Sequence, residues 1–260
     1  MKINQISMNF YTNSTIKPYR RQQPILPTVK CDSVHFTGKS QLTTKKVIIL
    51  LGAPNSGKGT FARKIAEKHS LPQISTGDIL RNEVKISSKL GLEAKKYMDS
   101  GELVPDSLIL KIFQKRITQE DCQKGFILDG FPRTINQAKE LDKVLEKEKN
   151  IVLKIINLDV ERDILFQRSA NRYTCADCSK TFSIKEGYNP ENSKCDCGGK
   201  LIKRADDTPE VLANRLISYE KQTLPLVGYY GEKVSNIDVY GKDAPMQKTL
   251  NRVFSVIENN

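Results

Sequence analysis

Two groups of residues in this 260-residue chain have types and spacing that suit chemistry. The first is Gly52-Ala53-Pro54-Asn55-Ser56-Gly57-Lys58-Gly59-Thr60. This glycine and lysine spacing lets backbone N–H groups and a helix N-terminus wrap a polyphosphate, an approach that side chains would block. Lys58 then brings a mobile point charge to the β and γ phosphates, and Thr60 is the hydroxyl nearest a metal ion. The usual pattern puts Ser or Thr directly after the lysine; here Gly59 intervenes. An incidental glycine turn is the alternative.

The second group is Cys175-Ala-Asp-Cys178, then sixteen residues, then Cys195-Asp-Cys197-Gly198-Gly199. It reads as two knuckles supplying four thiolates to a tetrahedral structural Zn2+, a closed shell with no open position for catalysis. Two disulfides or free thiols are the alternatives, and Asp196 could displace one thiolate. Cys31 and Cys122 stand apart and read as a tail thiol and a packing residue.

These groups need elements to hold them. Val47–Leu51 is an apolar, β-branched run ending at Gly52, and Phe61, Ala62, Ile65 and Ala66 then fall on one face at helical spacing. Strand, glycine loop and helix is the context that phosphate binding requires. Phe126–Leu128, Val152–Leu158 and Ile237–Tyr240 read as further buried strands, and Met246, Leu250, Val253, Phe254 and Ile257 form a terminal amphipathic stripe. Strands alternating with helices predict an α/β fold, a three-layer α/β/α arrangement with a central parallel sheet. From Arg172 to Asp207 aliphatic residues thin out, so this stretch reads as a small insertion that cannot fold without a staple.

Net charge is +12, which points to polyanionic partners such as nucleotides, nucleic acid or an anionic membrane surface without choosing among them. No apolar run approaches the ~20 residues needed to cross a bilayer. Residues 1–45 hold seven Lys or Arg against one acid, Asp32, and show no sustained period; they read as a disordered basic extension. No secretory-type signal is visible, and a reducing compartment is expected. Such a start also suits an organelle transit peptide.

The Gly-Lys-Gly-Thr ending resembles that of nucleoside monophosphate kinases, and three more segments narrow the resemblance to the adenylate kinases. They are Ser75-Thr76-Gly77-Asp78-Ile79-Leu80-Arg81, Asp99-Ser100-Gly101-Glu102-Leu103-Val104-Pro105-Asp106, and the stretch from Leu128-Asp129-Gly130-Phe131-Pro132-Arg133 through Gln137-Ala138. The resemblance covers nearly all of 46–258, with an AMP-binding helical segment at about 75–104 and a zinc-ribbon-like lid at about 172–208. It implies reversible phosphoryl transfer from Mg-ATP to AMP, giving two ADP.

By the same resemblance, Gly52 to Thr60 with Arg168 and Arg172 bind ATP. Thr76, Arg81, Gly130, Arg133 and Gln137 bind AMP, with Glu102, Leu103 and Val104 against its base; Gln137 hydrogen-bonds the adenine edge. Arg204 and Arg215 reach AMP and the transferring phosphoryl group. Asp129 sits beside Mg2+ through water. Lys58, Arg133, Arg168, Arg172, Arg204 and Arg215 then form a charge clamp for a reaction that depends mainly on positioning and electrostatics. Asp206 and Asp207 match a pair next to the lid hinge that could hold these arginines, although two exposed loop acids would look the same.

The resemblance also implies lid zinc, a monomer, a cytoplasmic location, and no obligate protein, nucleic-acid or membrane partner. Organelle import through the basic extension is the alternative location. Two departures stand out: the second knuckle has one residue between its cysteines where the family has two, and Asn55 replaces a common glycine. A UMP/CMP-type kinase, a basic zinc-ribbon RNA-binding protein and an inactive nucleotide sensor are the competing readings. Gln137 with Thr76 favours adenine over the first, and the AMP-type segments speak against the second.

Overall fold

The computed structural model describes residues 44–183, 193–204, 206–239 and 246–259. Expectations for residues 1–43, including Cys31, and for Tyr240 lie outside these ranges. Five parallel strands form one sheet in the order β2 (Gln73–Ser75), β3 (Gly125–Asp129), β1 (Lys45–Gly52), β4 (Ile151–Asp159), β8 (Val234–Asp238).

Alternation along β1 explains the layers, since successive side chains point to opposite faces. Val47, Ile49 and Leu51 pack into one apolar cluster, and Ile48 and Leu50 into another. The first cluster is covered by α2 (Thr76–Lys85), α3 (Lys89–Ser100), α4 (Asp106–Ile117), α5 (Ile135–Leu145) and α8 (Pro225–Tyr230), through Leu80, Ala94, Phe113, Leu141 and Leu226. The second is covered by α1 (Lys58–His69) and α9 (Met246–Glu258), through Phe61, Ala62, Ile65, Leu250, Val253 and Ile257. The α/β/α sandwich expected from the sequence is present. Cys122 is fully buried in the first cluster, consistent with a packing role.

α6 (Arg162–Ala170) and α7 (Pro209–Ser218) flank the lid and pack together through Leu165, Leu212 and Leu216. The lid itself carries β5 (Arg172–Cys175), β6 (Thr181–Ser183) and β7 (Leu201–Ile202), antiparallel in the order β6-β5-β7. Among the described residues, its buried apolar cluster consists of Cys175, Cys195 and Leu201, with Tyr173 and Phe182 half-buried against it. Two of these three buried residues are cysteines, so the apolar cluster among the described lid residues is small.

Three elements differ from the sequence reading. The last strand is Val234–Asp238 rather than Ile237–Tyr240, because pairing with β4 runs from Ile155↔Val234 to Asp159↔Asp238. Asn157 Nδ2 donates to Asn236 Oδ1 across that pair at 2.9 Å, so a polar residue occupies an interior register position. β2 escaped notice because it is three residues long. Met246 begins α9 but remains 48 % exposed, leaving the stripe to Leu250, Val253 and Ile257, with Phe254 half-buried against them.

Candidate active site

The carboxyl ends of β1 and β3 open into a cleft of about 1370 Å³, the position expected for a ligand on a parallel sheet. Gly52 ends β1 and Gly57 caps α1 with φ 100°, a left-handed conformation that a side chain would oppose. A Cβ on Gly59 would lie 3.2 Å from Asp129 Oδ2, so the residue between Lys58 and Thr60 must be small for α1 to start beside that carboxylate. Asn55 takes φ 65°, which asparagine tolerates, and its Nδ2 donates to Leu165 O at 3.4 Å.

Lys58 Nζ donates to the carbonyls of Gly52 and Ala53, both at 2.7 Å. Burial lowers its pKa to about 7; Asp129 pulls it up, while Arg133, Arg172 and Arg215 push it down. Burial raises the Asp129 carboxyl, against the pull of Lys58. Gln73 Nε2, on β2, donates to Asp129 Oδ2 at 2.9 Å.

Seven arginines line the same cleft as Lys58, six of them the expected Arg81, Arg133, Arg168, Arg172, Arg204 and Arg215. Arg133 Nε donates to Gly130 O at 2.9 Å, and burial lowers its pKa to about 10. Arg168 Nη1 donates to Ser56 O at 3.1 Å, tying α6 to the glycine loop. Arg204 Nε donates to Thr174 Oγ1 at 2.9 Å, and its pKa also falls to about 10, chiefly through burial. Arg81 is ion-paired with Asp78. Burial works to raise the Asp78 carboxyl, but Arg81, Arg204 and the Ser75 hydroxyl bring it below its ordinary value.

Asp206 and Asp207 face inward. Arg172 grips Asp207 with two donors, Nε at 2.7 Å from Oδ2, and the Asp207 side chain is 2 % exposed. Arg215 Nη2 lies 2.8 Å from Asp206 Oδ2. The alternative of two exposed loop acids is therefore excluded: Asp207 holds Arg172 through two donors of one planar fork, and Asp206 forms a close ion pair with Arg215.

At the other end of the cleft, Thr76 Oγ1 donates to Gly130 O at 2.8 Å. Glu102, Leu103, Val104 and Gln137 line the wall there together with Met98 and Ile109. Lys85 Nζ, at the end of α2, donates to Ala176 O in the first cysteine knuckle at 3.2 Å, so the lid rests on the 75–104 segment.

The sulfurs of Cys175, Cys178, Cys195 and Cys197 lie within 4.8 Å of one another, with Cys175–Cys197 and Cys178–Cys195 both at 3.5 Å. A tetrahedral zinc with bonds of about 2.3 Å has sulfur–sulfur edges near 3.8 Å, so the donor set suits that ion. The shortened knuckle closes through Gly198 N–H to Cys195 O at 2.7 Å, with Gly198 at φ 86°. Asp196 is ion-paired with Lys180 and 80 % exposed, outside the sulfur group.

The structure thus brings Lys58, the arginines, Asp129, Thr76 and Gln137 to one cavity and the four cysteines to one point. Sequence reasoning missed Arg63, which also lines the cleft, and Gln73. Gln73 adjoins the quoted Ser75–Arg81 segment, and that adjacency was the available signal.

Comparison with known proteins agrees with this geometry. The family model described as adenylate kinase matches residues 50–235. The adenylate kinase of Clostridium tetani is 44 % identical over 213 residues, covering 82 % of this chain and 96 % of that protein. That of Thermodesulfovibrio yellowstonii is 45 % identical over 213 residues, 81 % of this chain and 98 % of its own. That of Methanosarcina acetivorans is 46 % identical over 187 residues, 72 % and 86 % respectively. With a family match over most of its length and a cleft of the corresponding chemistry, the chain belongs to the adenylate kinase family.

Proposed function

We propose that the chain transfers the terminal phosphoryl group of Mg-ATP to AMP, reversibly, giving two ADP. The observation that carries this reading is the charge of the cleft: among its lining residues eight are Lys or Arg and three are Asp or Glu. Such a surplus suits the triphosphate and monophosphate of two nucleotides meeting end to end.

In this reading the loop from Gly52 to Thr60 wraps the ATP phosphates, with Arg168 and Arg172 above them. Arg81 and Arg133 grip the AMP phosphate. Thr76, Gly130 and Gln137 hold the nucleoside, with Glu102, Leu103 and Val104 along the base. An AMP phosphate oxygen attacks the γ-phosphorus; the new P–O bond forms as the bond to the β-phosphate oxygen of ATP breaks, and that oxygen leaves on ADP. No general base is needed, because the attacking oxygen is already an anion. Lys58, Arg133, Arg172, Arg204 and Arg215 spread the charge on the equatorial oxygens, under a lid whose closure would exclude water. Asp129 and Thr60 would hold hydrated Mg2+, which neutralises phosphate charge when bound.

The four cysteines would hold a structural Zn2+, which supplies the lid with the cohesion its apolar residues lack. Metal analysis tests this: less than about half an equivalent of zinc in purified protein overturns it. Function is tested by following ADP formation from ATP with AMP, UMP, CMP and GMP in a coupled assay. AMP should be the best acceptor; a preference for UMP or CMP refutes the assignment. Two adenosines joined by five phosphates should bind tightly, and failure to do so removes the charge-clamp reading.

A further inference from the structure

Gln137 is 2 % exposed, yet its amide borders the cleft, and both of its polar atoms are already engaged. Oε1 accepts from the backbone N–H of Arg133 at 2.8 Å, and Nε2 donates to Asp106 Oδ1 at 2.6 Å. A backbone N–H only donates and a carboxylate only accepts, so the two ends of this amide are not interchangeable. Among the described residues one N–H and one oxygen lone pair of this amide have no partner, and the two bonds fix their order.

Asp106 is equally constrained. It opens α4 directly after Val104 and Pro105, and its second oxygen accepts from Thr134 Oγ1 at 2.9 Å and Asn136 Nδ2 at 3.0 Å. Thr134 in turn caps α5 by accepting from the Gln137 N–H at 3.1 Å. The carboxylate therefore cannot swing away from Gln137 without giving up two other bonds.

The fixed order matters because purine monophosphates differ in the complementary order. Adenine offers a donor at its 6-amino group and an acceptor at N1; hypoxanthine and guanine offer an acceptor at O6 and a donor at N1. For a base held in one pose, one orientation of the amide suits the first pair and the flipped orientation suits the second. We infer that Asp106 is a specificity-determining positioning residue, whose bond to Gln137 Nε2 holds the amide in the orientation that matches a 6-aminopurine monophosphate and opposes a 6-oxopurine. Flipping the amide would set its NH2 against the Arg133 N–H and its oxygen against the Asp106 carboxylate. With Asp106 gone, only the first conflict remains. This rests on the reading that Gln137 faces the acceptor base.

The experiment compares kcat/KM for AMP and for IMP at saturating ATP in the native chain, Asp106→Ala, Asp106→Asn, Gln137→Ala and the Asp106→Ala/Gln137→Ala double variant. In Asp106→Ala the AMP:IMP ratio should fall at least about tenfold, because a charge-assisted bond stops opposing the flip. Asp106→Asn keeps the size with one acceptor and should lie between; it carries the test if the alanine variant does not fold. In the Gln137→Ala background, removing Asp106 should leave the ratio unchanged. If Asp106 merely fastens α4 to α5, AMP and IMP activities fall together and the ratio is constant, which overturns the inference. An equal drop in ratio with Gln137 already removed overturns it as well. A native chain with no preference for AMP defeats the adenylate reading itself, and is distinguishable from one that prefers AMP regardless of Asp106.

Discussion

Lys58 should take up a proton when ATP binds. In the free protein its pKa is about 7, depressed first by burial and then by neighbouring arginines. A bound triphosphate surrounds the ammonium with negative oxygens and returns it toward the ordinary lysine value of about 10.4. At pH 8 the free protein therefore carries this proton in only about one molecule in eleven, and binding should take up about 0.9 proton. The intrinsic affinity for ATP should fall about fivefold between pH 7 and pH 8 and about fiftyfold between pH 7 and pH 9. Titration calorimetry at pH 8 in two buffers of different ionisation enthalpy reads the uptake directly. The same titration on Lys58→Met cancels the ionisation of ATP itself. Stability follows from the same shift. Below about pH 7 both folded and unfolded chains carry the proton, and the folded state bears the full cost of the buried cation. As pH rises toward about 10.4 the unfolded state holds more protons, so this contribution makes the unliganded protein more stable with rising pH. Equal uptake by the native chain and Lys58→Met would refute the reasoning, as would near-normal turnover in that variant.

Asp207→Ala should destabilise the fold by about 3 kcal/mol, since it leaves the Arg172 guanidinium without its nearly buried partner. For a domain of this size that lowers the melting temperature by about 6 to 12 °C, readable by calorimetry. Gly59→Val should cut kcat by about 100-fold with the fold retained, because a branched side chain would press on Asp129 Oδ2, 3.2 Å from the Cβ position; kinetics and circular dichroism together check this. Treatment with a strong zinc chelator should release about one metal equivalent and lower kcat, while the signal of the parallel sheet is kept.

The strands legible in the sequence were those buried on both faces. Val47–Leu51 and Phe126–Leu128 read as continuous apolar runs because helices cover both sides of the sheet. The strand at 234–238 was misplaced because Ser235 and Asn236 interrupt its apolar character; the Asn157 bond explains Asn236. The lid's cysteines were visible by spacing, whereas its two- to four-residue strands were not. Among site residues, the glycine loop and the arginines carried their own signal. The role of Asp106 did not: an acid at the start of a helix looks like an ordinary favourable charge at that helix's N-terminus. Likewise, nothing in spacing shows whether Asp206 and Asp207 turn inward; that depends on where Arg172 and Arg215 arrive from separate helices and strands.

The unequal numbers of basic and acidic side chains around the cleft have an effect that begins before any ligand arrives. Cations gathered at the bottom of a low-dielectric recess send their field out through its mouth, so dissolved nucleotides are drawn in rather than found by chance. Capture should accordingly be fastest in dilute buffer and slow as added salt shortens the reach of that field. Inorganic polyanions, which feel the same pull, should be competitive inhibitors even though they lack a base to be recognised.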